Sequence, residues 1–102
     1  MRHEEEFREF LETEYRPAKR SKPYSPKVAG DAISRCRRVE RVLGIELGRQ
    51  TIRSKEAWEA IAEEILKRKF ELGATKRRPY AHNVAVSAIR IYRLFLEHRT
   101  GR

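Results

Sequence analysis

Cysteine is almost absent from this chain of 102 residues: Cys36 stands alone. A single thiol closes no intramolecular disulfide and builds no cysteine-rich metal centre. The fold therefore has to rest on packing, and an unbridged thiol fits a reducing cytoplasm. No apolar run approaches the ~20 residues of a membrane-crossing helix. The opening residues are acidic and carry no apolar stretch of the kind a secretory signal needs. Glycine and proline are sparse, and no glycine-rich phosphate loop, nucleophile elbow or low-complexity tract occurs. His3, His82 and His98 lie far apart, and none has metal-ligand spacing with another donor. These absences point away from a metal, a cofactor, a small-molecule substrate, a membrane partner and an enzymatic site.

Charge of one sign is abundant. Lysine and arginine number 24 against 15 aspartates and glutamates, a net charge of +9. A surplus of that sign attracts polyanions, nucleic acid foremost. Its distribution is uneven. Glu4, Glu5, Glu6, Glu9, Glu12 and Glu14 crowd the opening segment, whereas Arg16, Lys19, Arg20, Lys22 and Lys27 follow without an intervening acid. Lys76, Arg77 and Arg78 form a second basic run. Segregation of this kind predicts a positive patch rather than a uniform cationic coat.

Apolar spacing predicts four helices, at about 3–15, 26–43, 55–72 and 81–99, and no strand. The second is marked at both ends. Ser25 suits an N-cap, Pro26 the first helical position and Gly44 a left-handed C-terminal residue. Val28, Ala29, Ala32, Cys36, Val39 and Leu43 fall on one side of it, and Lys27, Asp31, Ser34, Arg37, Arg38 and Arg41 on the other. Ser54 caps the third helix, with Ala57, Trp58, Ile61, Ala62, Ile65 and Leu72 as its apolar stripe. Phe70 falls off that stripe, which marks a bend or a frayed end. The last helix has the broadest apolar face, Val84, Ala85, Ala88, Ile91, Tyr92 and Phe95, as a central helix needs. The expected architecture is an all-α bundle of four helices in one domain over residues 1–102, joined in part by two basic loops.

Cations on a capped helix and its flanking loops suit a polyphosphate backbone, because each one docked on a phosphate releases condensed counterions. The candidate contacts are Lys19, Arg20, Lys22, Lys27, Arg38, Arg41, Arg77 and Arg78, with Ser25 letting the helix N-terminus accept a phosphate. Ser34, Arg35 and Arg38 are placed to enter a major groove, where arginine reads guanine bidentately. For any single arginine the alternative is a solvated side chain or a local ion pair, such as Arg37 with Glu40. Tyr24 and Tyr80 flank the basic loops, either as base-stacking platforms or as staples that brace helix starts.

A helix ending in Phe7, Phe10 and Leu11, a basic linker, and Ser25-Pro26-Lys27 opening an amphipathic helix resemble the N-terminal core-binding domain of tyrosine recombinases, the phage integrases. The closing segment from Ala85 to Glu97 resembles that family's small-and-aromatic last helix. The chain departs from the pattern at Val28, where the family commonly has threonine, and at Ala32 and Ile33, where an aromatic is common. The resemblance implies a bundle that packs along one side of double-stranded DNA as half of a C-shaped clamp; a homo-oligomer on the DNA is a further expectation. In such recombinases the chemistry belongs to a second, C-terminal domain, so it implies no catalysis by these residues. An RNA or single-strand binding module and a protein-interaction or dimerisation module remain the alternatives.

Overall fold

The computed structural model describes residues 1–17, 22–48, 52 and 54–100. Among these, four helices follow one another: α1 (Glu4–Thr13), α2 (Pro26–Leu43), α3 (Lys55–Lys67) and α4 (Asn83–Thr100), with no strand. The described residues form an all-α four-helix bundle.

Local chemistry sets the ends of α2. The Ser25 hydroxyl accepts a hydrogen bond from the Val28 N–H at 3.4 Å, and Pro26 occupies the first turn. Gly44 closes the helix at φ 67°, its N–H donating to the Glu40 carbonyl. That backbone region is strained for any residue with a Cβ, which is why glycine stands there. Ser54 caps α3 in the same manner, accepting from the Ala57 N–H at 3.1 Å.

α2 and α4 each touch all the other helices, while α1 and α3 flank them without meeting. Burial follows from this arrangement. α2 contributes Ala29, Ala32, Ile33, Cys36 and Val39, and α4 contributes Ala85, Ala88, Ile89, Ile91, Tyr92, Phe95 and Leu96. Phe7 of α1 sits edge-on to Tyr92 at 5.1 Å and beside Phe95 at 5.3 Å. Offset and edge-to-face pairs of this kind stabilise beyond their area alone. Leu47 and Ile52 are fully buried between the helices.

Two expectations about the helices change. α3 stops at Lys67 rather than near residue 72, and residues 68–73 continue as turns. Lys69, Glu71 and Leu72 donate to the carbonyls three residues earlier, Leu66, Arg68 and Lys69. This tighter path sinks Leu72 into the core and leaves Phe70 outside. Val84, expected on the buried face of α4, is 47% exposed. It lies in the first turn and at the margin of the buried arc, whose centre runs through Ala85, Ala88 and Tyr92. The approach to α4 is also tighter than a helix: Asn83 and Val84 donate to Tyr80 and Ala81, three residues back.

The first residues are tied into the same core. The Met1 ammonium lies 3.2 Å from one Glu40 oxygen, and the other accepts from the Leu47 N–H at 2.7 Å. The Tyr92 phenol donates to the Arg2 carbonyl at 2.7 Å. Burial, chiefly, pushes the Tyr92 phenol above its ordinary value. Burial likewise pushes the Cys36 thiol up to about 12, so it packs as a small neutral hydrophobe.

Candidate nucleic-acid interface

The polar side of α2 carries a row of exposed side chains. Lys27, Ser34, Arg38 and Arg41 follow at spacings of seven, four and three, which stacks them along one helix face. Arg35 flanks the row, and all five are exposed. From Lys27 to Arg41 the helix rises about 21 Å, enough to reach both walls of a major groove about 12 Å wide. Asp31 is the acid on this face; it is exposed and forms no ion pair among the described residues.

Three glutamates of the opening segment, Glu4, Glu6 and Glu14, are engaged elsewhere. Glu4 accepts both Nε, at 2.6 Å, and Nη2 of Arg37. Arg37 therefore faces α1, and the ion pair that it forms is with Glu4 rather than with Glu40, the alternative partner, because Glu40 turns inward to Met1 and Leu47. The pairing holds the Arg37 guanidinium above its ordinary pKa, first through the hydrogen bond to Glu4. Glu6 pairs with Arg99 at 2.9 Å, and Glu14 with His98. A hollow of about 350 Å³ between α1 and α4 is lined by Phe10, Phe95, Glu6, Glu9 and Glu14, with no α2 residue among its lining. Among the described residues, Lys27, Arg35, Arg38 and Arg41 have no carboxylate within ion-pair distance.

On its other flank α2 meets the turns after α3. Arg38 Nη2 donates to the Glu71 carbonyl at 2.8 Å, and Arg68 Nη1 donates to the Val42 carbonyl. These two bonds bring Arg68 and Lys69 alongside the C-terminal half of α2. Arg68 also pairs with Glu71 at 3.7 Å, so Lys69 is the cation without a carboxylate partner among the described residues that extends the basic ground from α2 onto the 68–71 turns, a continuation that the sequence pattern does not show directly. Its signal was Phe70 standing off the α3 stripe.

The other candidates are placed as follows. Ser25 is exposed and engaged as the N-cap. Lys22 is exposed just ahead of it, and Lys19 and Arg20 lie outside the described residues. Arg77 and Arg78 are exposed on a loop closed upon itself: Thr75 N–H donates to the Arg78 carbonyl, and Arg78 N–H to Thr75 Oγ1, each at 3.0 Å. Tyr24 is half-buried, its N–H bonded to the Leu11 carbonyl and its ring edge-on to Tyr15 at 5.3 Å, so it braces the entry to α2. Tyr80 is exposed. His82 is buried, and its Nδ1 has no hydrogen-bond partner among the described residues.

Among the described residues no three His, Cys, Asp or Glu side chains gather as metal ligands. No described helix is long and apolar enough to cross a membrane. Comparison of the chain with protein-family models, curated proteins and solved structures gives no match.

Proposed function

We propose that this bundle is a non-catalytic, duplex-DNA-binding domain of the integrase core-binding type. The observation that carries the proposal is the division of charge on α2. Arg37 is neutralised by Glu4, whereas Lys27, Arg35 and Arg41 are exposed with no carboxylate partner among the described residues, and Arg38 keeps one guanidinium nitrogen on the Glu71 carbonyl and has no carboxylate partner there either. Such a row suits phosphates on both sides of a groove, with Ser34, Arg35 and Arg38 nearest the base edges. Lys22, Arg77 and Arg78 would add contacts to the backbone at the flanks, and the N-terminus of α2 would add the positive end of its dipole. Polyanion attraction supplies most of the affinity, and an arginine docked on guanine supplies discrimination of about 1–3 kcal/mol.

Fluorescence anisotropy with a labelled duplex tests this. Arg35→Glu with Arg41→Glu reverses two exposed cations that form no hydrogen bond or ion pair through their side chains among the described residues, so the fold is left intact. Binding should weaken at least tenfold. Unchanged affinity in a variant with unchanged helical signal would place the interface elsewhere.

A further inference from the structure

Two aromatic side chains remain in solvent on the basic flank. Phe70 is 69% exposed and Tyr80 is 74% exposed. Single exposed aromatics are ordinary on protein surfaces. These two differ in what surrounds them and in how firmly they are held. The stretch from Lys67 to Tyr80 carries Lys67, Arg68, Lys69, Lys76, Arg77 and Arg78 against a single acid, Glu71; Lys67 pairs with Glu64 and Arg68 with Glu71, and the other four have no carboxylate partner among the described residues.

The backbone beneath them is pinned. Arg38 holds the Glu71 carbonyl, Arg68 holds the Val42 carbonyl, and Leu72, two residues beyond Phe70, is buried. The Ala74 N–H closes back on the Lys69 carbonyl at 2.8 Å. Gly73, at φ 105°, backs onto Ala81 so closely that a Cβ built on it would stand 3.9 Å from the Ala81 Cβ. The two legs of the loop therefore meet at Gly73 and Ala81, and each aromatic is carried within three residues of that junction. Lys69 Nζ lies 5.3 Å from the centre of the Phe70 ring, placing a cation beside a π face.

We infer that Phe70 and Tyr80 form a stacking site for unpaired bases, so that the preferred nucleic acid is a duplex with an adjoining single-stranded arm. This rests on the duplex grip proposed for α2. In an uninterrupted duplex each base is already stacked on both faces, and an exposed protein ring finds nothing to cover. An unpaired base offers a free face whatever its identity, and the surrounding lysines and arginines neutralise the phosphates of the arm. Tyr24 takes no part, because its ring is packed against Tyr15.

The experiment compares three DNA probes by anisotropy: a blunt duplex, the same duplex carrying an oligothymidine arm, and the arm alone. Wild type, Phe70→Ala and Tyr80→Ala are measured on each, with circular dichroism to confirm folding. The armed duplex should bind at least tenfold tighter than the blunt one. Each alanine should cost about tenfold on the armed duplex and leave the blunt duplex unchanged. Equal binding of armed and blunt duplex by wild type overturns the stacking site, as do alanine variants that bind the armed duplex like wild type. Loss of binding to phosphatidylserine vesicles, with the armed duplex unaffected, would assign the aromatics to a lipid surface and overturn it too. A blunt duplex that does not bind at low salt removes the α2 grip itself; one that binds, with no effect of the aromatics, removes only the stacking site.

Discussion

Arg37 of α2 reaches across to α1 and forms a two-pronged ion pair with Glu4, 33 residues away in sequence. This pair divides the cations of α2 into one that docks a neighbouring helix and several that face outward. Arg37→Gln is expected to change duplex affinity by less than about twofold, while Arg41→Glu weakens it about tenfold or more. Because the Arg37 side chain is exposed, losing the pair should leave stability nearly unchanged. Anisotropy and urea titration of the two variants, side by side, check both statements.

The aromatic contact of Phe7 with Tyr92 and Phe95 joins α1 to α4. Phe7→Ala should destabilise the bundle by about 3–5 kcal/mol, the usual cost of emptying a buried aromatic site. Tyr92→Phe keeps the ring and removes hydrogen bonds to the carbonyls of Arg2 and Leu47, for a loss of about 1–2 kcal/mol. Chemical denaturation of both variants should reproduce that order.

Stability should decline in alkali. The Cys36 thiol, with an ordinary value of 9.0, is pushed up to about 12 by burial, and the buried Tyr92 phenol is also raised. Above pH 9 the unfolded chain releases the thiol proton while the folded chain keeps it. The unfolded state then binds fewer protons, and stability falls as pH rises. The thiol's contribution is fully present below pH 9 and is lost progressively toward pH 12, on the order of 1 kcal/mol per pH unit. Cys36→Ala should flatten this decline in urea titrations between pH 8 and pH 11; an equally steep decline would contradict the assignment.

At Gly44 nothing stands within 4 Å of an added Cβ, and φ is 67°. Gly44→Ala therefore isolates backbone strain at the end of α2, and should cost about 1 kcal/mol without altering DNA binding. Thermal melts measure this as a fall of about 4–8 °C for a domain of this size.

Much of the fold was legible because local signals agreed with one another. Ser25, Pro26 and Gly44 mark α2 to the residue, and the period of Ala29, Ala32, Cys36 and Val39 identifies its buried face. The end of α3 was harder to read. Leu72 keeps helical register with Ile65 and suggests continuation, yet the chain tightens after Lys67 so that Arg68 and Arg38 can bond backbone carbonyls of the neighbouring segment. Partners distant in sequence decide such details. For the same reason Glu40 looked like a companion for Arg37, although the Met1 ammonium and the Leu47 amide occupy it. Which cations stay unpaired depends on which helix lies alongside, and the order of residues along one helix carries no record of that.

The salt dependence of duplex binding bears most directly on the grip of α2. Roughly five or six docked cations imply a slope near −5 in log affinity against log salt. Raising salt from about 50 to about 200 mM should then weaken binding about a thousandfold, with the slope shallower by about two in the Arg35→Glu, Arg41→Glu variant. Absence of duplex binding at low salt, or a slope that the double variant leaves unchanged, would contradict a phosphate-gripping face on α2.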